Sequence, residues 1–518
     1  MTQWEDVLYK TSMTPTSISE LRKSLGESQV QFAERFGVTQ VTVAHWENGR
    51  SMPSRSRLAE LTSLASCTIS TKATNQPFRP IQYLGSKQRL VKTIESVIDE
   101  IVPGNMRVGD LFAGSGVVSS VLGRKRPVTA VDIQAYSEVL STALLQGRVE
   151  YFSALNEPQF EARINEIVDD LSRLLAPLIR LEEDAIAAAS MGRTESLIEL
   201  VEFGSLAVHA QRASTNPSPD LARSLQTASE KLSSSAYSHS DLTATRYFGG
   251  PYFSYRQAIA LDAVFIATRD PSFAHLLREA LAVLLSVASE IVNTVGKQFA
   301  QPMKLRKADG RVPPLLLQRT LRDRSLDVTA VFKDWATRWA TAAMVGNNEH
   351  QIVCGDVLDF VNRDRTCRVW YADPPYTIDH YSRFYHVLET LSIRDAPKLD
   401  EMNKRGEVTV MRGVYRAGRY QSPFCIPSQA PAAFDRLFSA TATSGAPLVL
   451  SYSPFDEQEG HRPRLLTLTE MIETAKRHYQ KVTVMEITEH SHRKLNAKSF
   501  NTGVRVDAER LIICEASN

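Results

Sequence analysis

Two successive prolines end a strand ladder, because neither ring nitrogen can donate a hydrogen bond and each ring locks φ. Such a pair stands in Asp373-Pro374-Pro375-Tyr376, directly after the β-branched and aromatic run Val369-Trp-Tyr-Ala372. A chain forced out at the carboxyl end of a parallel strand emerges where α/β proteins bind their ligands. Asp373 offers carboxylate oxygens there, the Pro374 carbonyl offers a second acceptor, and Tyr376 offers a flat face. The set suits a planar base bearing an exocyclic amine: two acceptors take its N–H bonds and the ring stacks on the tyrosine. Those bonds pull the amine toward a pyramidal, nucleophilic geometry and hold it in line with a methyl donor. Positioning and electrostatics then carry the chemistry, without a covalent intermediate.

A second constellation is Val108-Gly-Asp110-Leu-Phe112-Ala-Gly114-Ser115-Gly116, which ends one strand and opens a helix at Val117–Leu122. Gly114 and Gly116 let backbone amides approach a ligand at a helix N-terminus. Asp132 closes the next strand, the usual place for a carboxylate that grips ribose hydroxyls. A nicotinamide-dinucleotide fingerprint would need a third glycine, and Ser119 stands in its place. The loop alone names no particular nucleotide.

These residues need a scaffold, and the pattern supplies one. From Ile81 onward short β-branched runs alternate with helical periods, which predicts an α/β domain with a parallel sheet. Strands are expected at 107–111, 128–132, 369–372, 448–452, 482–487 and 511–514. Residues 140–350, too long for a connecting loop and mostly helical in period, form an inserted subdomain. Its Ser-rich part around Leu221–Leu242 is expected to be mobile, and Arg246-Tyr-Phe-Gly-Gly-Pro-Tyr-Phe253 reads either as a wedge into a duplex or as a packed hairpin. Residues 67–80, polar with two prolines in 66–80, read as a linker.

Ahead of the linker, Ser28 can cap one helix whose Phe32, Ala33 and Phe36 share a face. Gly37 permits a turn, Val38 plugs the corner, Thr39 caps a second helix with Val43 and Trp46 inward, and Gly49 stops it. Gln29, Gln40, Thr42, His45, Asn48 and Arg50 are left to meet base edges or phosphates. Residues 18–64 resemble the helix-turn-helix of the Cro and lambda-repressor type, which implies that Thr39–Asn48 is a recognition helix for the major groove. A small bundle used for packing is the alternative.

With all motifs in view, residues 81–515 resemble the amino-methylating DNA methyltransferases of the Dam type, in that group's motif order. Tyr83-Leu-Gly-Ser-Lys87 is similar to its N-terminal lysine motif, Asp110 to Gly116 to its S-adenosylmethionine loop, and Asp132 to its ribose-binding acid. Cys354-Gly-Asp356 is similar to the dipeptide whose carboxylate meets the cofactor's adenine amine, and Asp373–Tyr376 to the catalytic tetrapeptide. His380–Glu389 and Leu448–Tyr452 also resemble later segments of the group. The resemblance implies catalytic Asp373, Pro374, Pro375, Tyr376 and Lys87, and a cofactor site of Tyr83, Asp110, Phe112, Gly114, Ser115, Gly116, Asp132 and Asp356. It implies a fold of the α/β class: a Rossmann-like S-adenosylmethionine-dependent core at 81–139 and 351–518, a large helical insert at 140–350 carrying target recognition, and an all-α helix-turn-helix domain at 1–66. Because the insert exceeds that of small Dam-type enzymes, their target sequence does not carry over. Duplex DNA is the implied partner, and a cognate restriction nuclease a candidate one.

Composition bounds the rest. The chain has 518 residues, and 60 Lys and Arg against 58 Asp and Glu leave a net charge of +2. DNA must therefore be held by local patches. Residues 301–325 carry Lys304, Arg306, Lys307, Arg311, Arg319, Arg322 and Arg324, for a net +5; residues 403–420 carry Lys404, Arg405, Arg412, Arg416 and Arg419, for a net +4. The second patch adds Tyr415 and Tyr420, and Arg416 and Arg419 are its DNA-contact candidates. Five scattered cysteines without a Cys-x-x-Cys pair argue against disulfides and zinc, and His490 and His492 lack a matching pair, so no metal is expected. The first residues lack a signal-peptide pattern, and Ala280–Val292 is too short and polar to span a bilayer, so a cytoplasmic protein is expected. Adenine N6 leads; the cytosine amino group and a chiefly regulatory protein remain open. No Pro-Cys pair supports carbon-5 chemistry, and no Walker loop appears.

Overall fold

A computed structural model describes residues 18, 19, 21, 22, 27–48, 50, 51, 53, 54, 57, 60, 61, 77–211, 217–344, 349–378, 380–404, 407–453, 465–487 and 509–515. The chain divides into two units, residues 1–77 and 78–518.

In the first unit, helix α1 (Gln29–Arg35) starts at a capping box: the Ser28 hydroxyl accepts from the Gln31 amide, and the Gln31 side chain accepts from the Ser28 amide. Gly37 turns the chain at φ +59°. Helix α2 (Gln40–Glu47) is capped by the Thr39 hydroxyl. Phe32, Ala33, Phe36, Val43 and Trp46 close a small core with Ile18, Leu21 and Leu61. The cap and core positions read from the sequence are all present; Gly49 lies outside the described residues.

In the second unit, nine strands form two sheets among the described residues: β1 (Val108–Leu111), β2 (Val128–Asp132), β3 (Gln351–Cys354), β4 (Val369–Ala372), β5 (Glu401–Lys404), β6 (Glu407–Val410), β7 (Leu448–Tyr452), β8 (Lys481–Ile487) and β9 (Glu509–Glu515). The main sheet runs β3-β2-β1-β4-β7-β9-β8. All six expected strands are there, yet the sheet is mixed rather than parallel. β9 lies between β7 and β8 and pairs antiparallel with both.

Both faces are covered, which is why the central strands read as continuous apolar runs. Val108, Val128, Val369 and Val449 pack with helix Val91–Ile101, while Trp370, Leu448 and Leu450 pack with helix Ala430–Thr443. Between β2 and β3 every described element is helical, beginning with Ala135–Gln146. The apolar stretch near Ala280 is the core helix Leu277–Ile291, whose Ser286 and Ser289 accept from Trp339 Nε1 and the Gln82 amide. No helix among the described residues is long and apolar enough to cross a membrane.

One expectation for the insert is corrected, and between two open readings the packed one holds. The Ser-rich region contains a capped helix, Pro219–Ser233, with Leu221, Leu225, Ala228 and Leu232 buried, so its leucine spacing outweighs its serine content. Residues 246–253 are a buried turn, with Tyr252 and Phe253 wholly inaccessible, and cannot wedge into a duplex.

Candidate active site

β1 delivers the glycine loop at the centre of the sheet, where backbone dihedrals do the shaping. Phe112, Gly114 and Gly116 all take positive φ, at +63°, +56° and +73°. The Gly114 amide donates to Asp132 Oδ2 over 2.8 Å, tying the loop to the end of β2, while Oδ1 accepts from the Gln134 amide at 2.9 Å. A Cβ on Gly114 would sit 2.5 Å from the Tyr83 hydroxyl, so only glycine leaves that tyrosine its place. Ser119, which replaces the third glycine, donates to Asp110 Oδ2 over 2.5 Å. Burial, with Asp373 adding to it, pushes the Asp110 carboxyl up to about 7 against that hydrogen bond. Burial likewise raises Asp132, against the two amides it accepts from.

Beside this loop opens a cleft of about 800 Å³, part of it open to solvent. Tyr83, Phe112, Asp132, Asp356, Asp373 and Pro375 line it together, although they come from five separate stretches of sequence. Asp110, Ser115 and Gly116 are buried and do not line it. Asp356 also caps helix Val357–Arg363 through the Leu358 and Asp359 amides. Sequence reasoning missed Tyr136, Ser422 and Phe424 in the wall, and named His380, Tyr381 and Tyr420 without placing them there. His380 and Tyr381 had a local clue, standing a few residues after the tetrapeptide. Behind the wall Tyr385 stacks on Tyr83 at 4.9 Å and its hydroxyl accepts from the Leu84 amide.

At the far end β4 releases Asp373, with Leu111 and Ala372 in register across the sheet. Lys87 opens a short 3₁₀ turn and reaches Asp373 Oδ1 at 3.1 Å and Glu509 Oε1 at 2.7 Å. Ser451 Oγ donates to the same Glu509 oxygen over 2.8 Å. Burial alone would lower the Lys87 pKa, but Asp373 and Glu509 outweigh it and hold the ammonium well above the usual lysine value. The ammonium lies 5.7 Å from the Tyr376 ring centroid, and that ring meets Tyr452 edge-on at 5.3 Å. Glu509 carried no sequence signal: it begins a strand far from every motif.

Family comparison supplies the chemistry's name. Residues 18–70 match the helix-turn-helix family model, and residues 83–174 match the model described as D12 class N6 adenine-specific DNA methyltransferase. The chain carries an adenine-specific DNA methyltransferase domain behind a helix-turn-helix. No curated protein matches the chain. The matched stretch of the methyltransferase contains Lys87, the glycine loop and Asp132, and sheet pairing brings the Asp-Pro-Pro-Tyr segment, outside the match, to the same cleft. Its reaction is methylation of adenine N6 in DNA, so the cytosine alternative is set aside.

The methyltransferase's candidate DNA contacts separate into two groups. On the helix-turn-helix, Gln40, Asn48 and Arg50 are exposed and Thr42 and His45 half-buried, whereas Gln29 is tied to Glu47 at 2.8 Å. In the second unit, Arg416 and Arg419 are held by Asp395 and Asp400 at 2.5 and 2.9 Å. Tyr415 is 1% exposed and flanked by Arg383 and Arg419, so it cannot take a displaced base; Tyr420 is exposed and lines the cleft. In the 301–325 patch, Arg324 is buried against Glu182, and Arg319 and Arg322 converge on Asp323. Lys304, Arg306, Lys307 and Arg311 are exposed. Arg405, His490 and His492 lie outside the described residues.

Proposed function

We propose that this methyltransferase takes S-adenosylmethionine into the cleft beside the glycine loop. It then receives, next to Asp373, an adenine turned out of duplex DNA at sites chosen by sequence. One observation carries the reading: Asp132, Asp356 and Asp373, far apart in the chain, line a single cleft. The residues fit the cofactor. The missing Cβ of Gly114 leaves room for the Tyr83 side chain, and Tyr83 and Phe112 supply aromatic walls. Asp132 would hold the ribose hydroxyls and Asp356 the adenine amine. When bound, the cofactor supplies an electrophilic methyl group.

The remaining work belongs to the chain. Asp373 accepts one N–H of the target amine, the Pro374 carbonyl accepts the other, and Tyr376 stacks on the base. Lys87 keeps Asp373 ionised, so that it remains an acceptor. The helix-turn-helix holds duplex DNA through Gln40, Thr42, His45, Asn48 and Arg50, with Gln29 orienting Glu47 beside them.

Asp373→Ala tests this reading. Methyl transfer to unmethylated genomic DNA should be abolished, while equilibrium binding of S-adenosylmethionine stays within roughly tenfold, about 1.4 kcal/mol. Base-resolved sequencing of DNA from cells expressing the wild type should find N6-methyladenine in one fixed context, absent with the variant. Turnover by Asp373→Ala would refute the role of Asp373.

A further inference from the structure

The lysine beside Asp373 is shared. Its ammonium lies 2.7 Å from Glu509 Oε1, closer than the 3.1 Å to Asp373 Oδ1, and Ser451 donates to the same Glu509 oxygen. Lys87 is 5% exposed and Glu509 3%. Carboxylates are rarely buried unless paired, because desolvation costs several kcal/mol per ion. Here one ammonium bridges two carboxylates, and the three come from a turn before the sheet, the end of β4 and the start of β9. A lysine with Asp373 as its only carboxylate partner would close on it and weaken it as an acceptor.

We propose that Glu509 is a positioning residue for methyl transfer: it anchors Lys87 so that the ammonium keeps Asp373 ionised without quenching its acceptance of the target N–H. The inference rests on the reading of Asp373 above. It also leaves the cluster one negative charge in excess, which favours positive charge building on the amine in a low-dielectric site. Among the described residues, Asp373, Glu509, Tyr376, Tyr371 and Tyr381 face Lys87; Asp110, Tyr371 and Tyr381 also face Asp373.

Glu509→Gln keeps the size and removes the charge. Turnover at saturating substrates should fall roughly 10- to 100-fold, the scale of one hydrogen bond between charged groups. Cofactor binding and the KM for DNA should change little. The distinguishing readout is the pH profile of kcat. Burial of Lys87 would be less fully offset, so the alkaline limb should move down by roughly one pH unit or more, and Glu509→Asp should return it. A Glu509→Gln profile that overlays the wild type, or one scaled down with its limb unmoved, would overturn the proposal. Should Glu509→Gln fail to fold, Ser451→Ala removes only the hydroxyl donated to Glu509 and must shift the limb the same way; an unmoved limb there is equally fatal. If Asp373→Ala retains turnover, the reading of the site has failed; if that variant is dead while the glutamine variant behaves as wild type, only this inference has.

Discussion

The two ends of the cleft are built by opposite means. The glycine-loop end relies on backbone geometry: three residues at positive φ within five positions, and an amide tied to Asp132. The Asp373 end relies on charge, with Lys87, Asp373 and Glu509 gathered from three distant elements. The first kind of site is encoded locally and fails when an atom is added. The second is encoded only by the fold and fails when a charge is removed. That contrast predicts different symptoms for damage at each end.

Lys87→Met strikes the charge end hardest. It leaves the buried Glu509 and the half-buried Asp373 without their common cation, and breaking a buried pair costs up to about 3–5 kcal/mol. Turnover should drop by more than roughly a hundredfold. Stability should depend on pH with a known sign. Carboxylates that lose their cation in a desolvated site bind protons more tightly folded than unfolded, so the deficit is largest above neutrality and shrinks as pH falls toward 5. Urea unfolding at pH 5 and pH 8 measures it. A deficit that does not change with pH would mean that the cluster is not what the lysine stabilises.

Gly114→Ala probes the geometric end and should be milder. An L-residue at φ +56° costs about 1–2 kcal/mol, and the new methyl meets the Tyr83 hydroxyl at 2.5 Å. Calorimetry should find cofactor affinity reduced about 10- to 100-fold, on the scale of 1.4–2.7 kcal/mol, with kcat at saturation largely kept. Adding Tyr83→Phe should recover only part of this loss, because the ring carbon Cζ still lies 2.7 Å from the methyl. If kcat collapses while affinity holds, the two ends are not separable as described.

The same contrast explains what could be read before the fold was known. The glycine loop, Asp132, the Cys354–Asp356 stretch and the Asp-Pro-Pro-Tyr segment announce themselves within a few residues, as do six strands built from β-branched runs. Glu509 does not, because its meaning lies in facing Lys87 across the sheet. The hairpin β5–β6 is rich in charge and lacks a glycine-asparagine turn signal, and β3 is a half-exposed edge strand of only four residues. Counting charge over 403–420 misled for a physical reason: Asp395 and Asp400, which pair with Arg416 and Arg419, lie just upstream of that window.

Asp110 belongs to both ends, and its expected effect on cofactor affinity is the smallest. Ser119, from the helix after the glycine loop, holds its carboxyl by a hydrogen bond, while its charge faces Asp373. Burial first, then Asp373, push its pKa to about 7 from a usual 3.8. The folded chain therefore holds this proton more tightly than the unfolded one, so stability declines as pH rises from about 4 to 7, by at most about 4 kcal/mol. Asp110→Asn cannot ionise but can still accept from Ser119, so it should flatten that decline and be more stable than wild type at pH 8. Its cofactor affinity should change little, because residue 110 does not line the cleft. Parallel wild-type and variant stability curves between pH 5 and 8 would place the ionisation elsewhere. A large loss of affinity would mean instead that the carboxyl shapes the glycine loop from beneath, joining the two ends through Ser119.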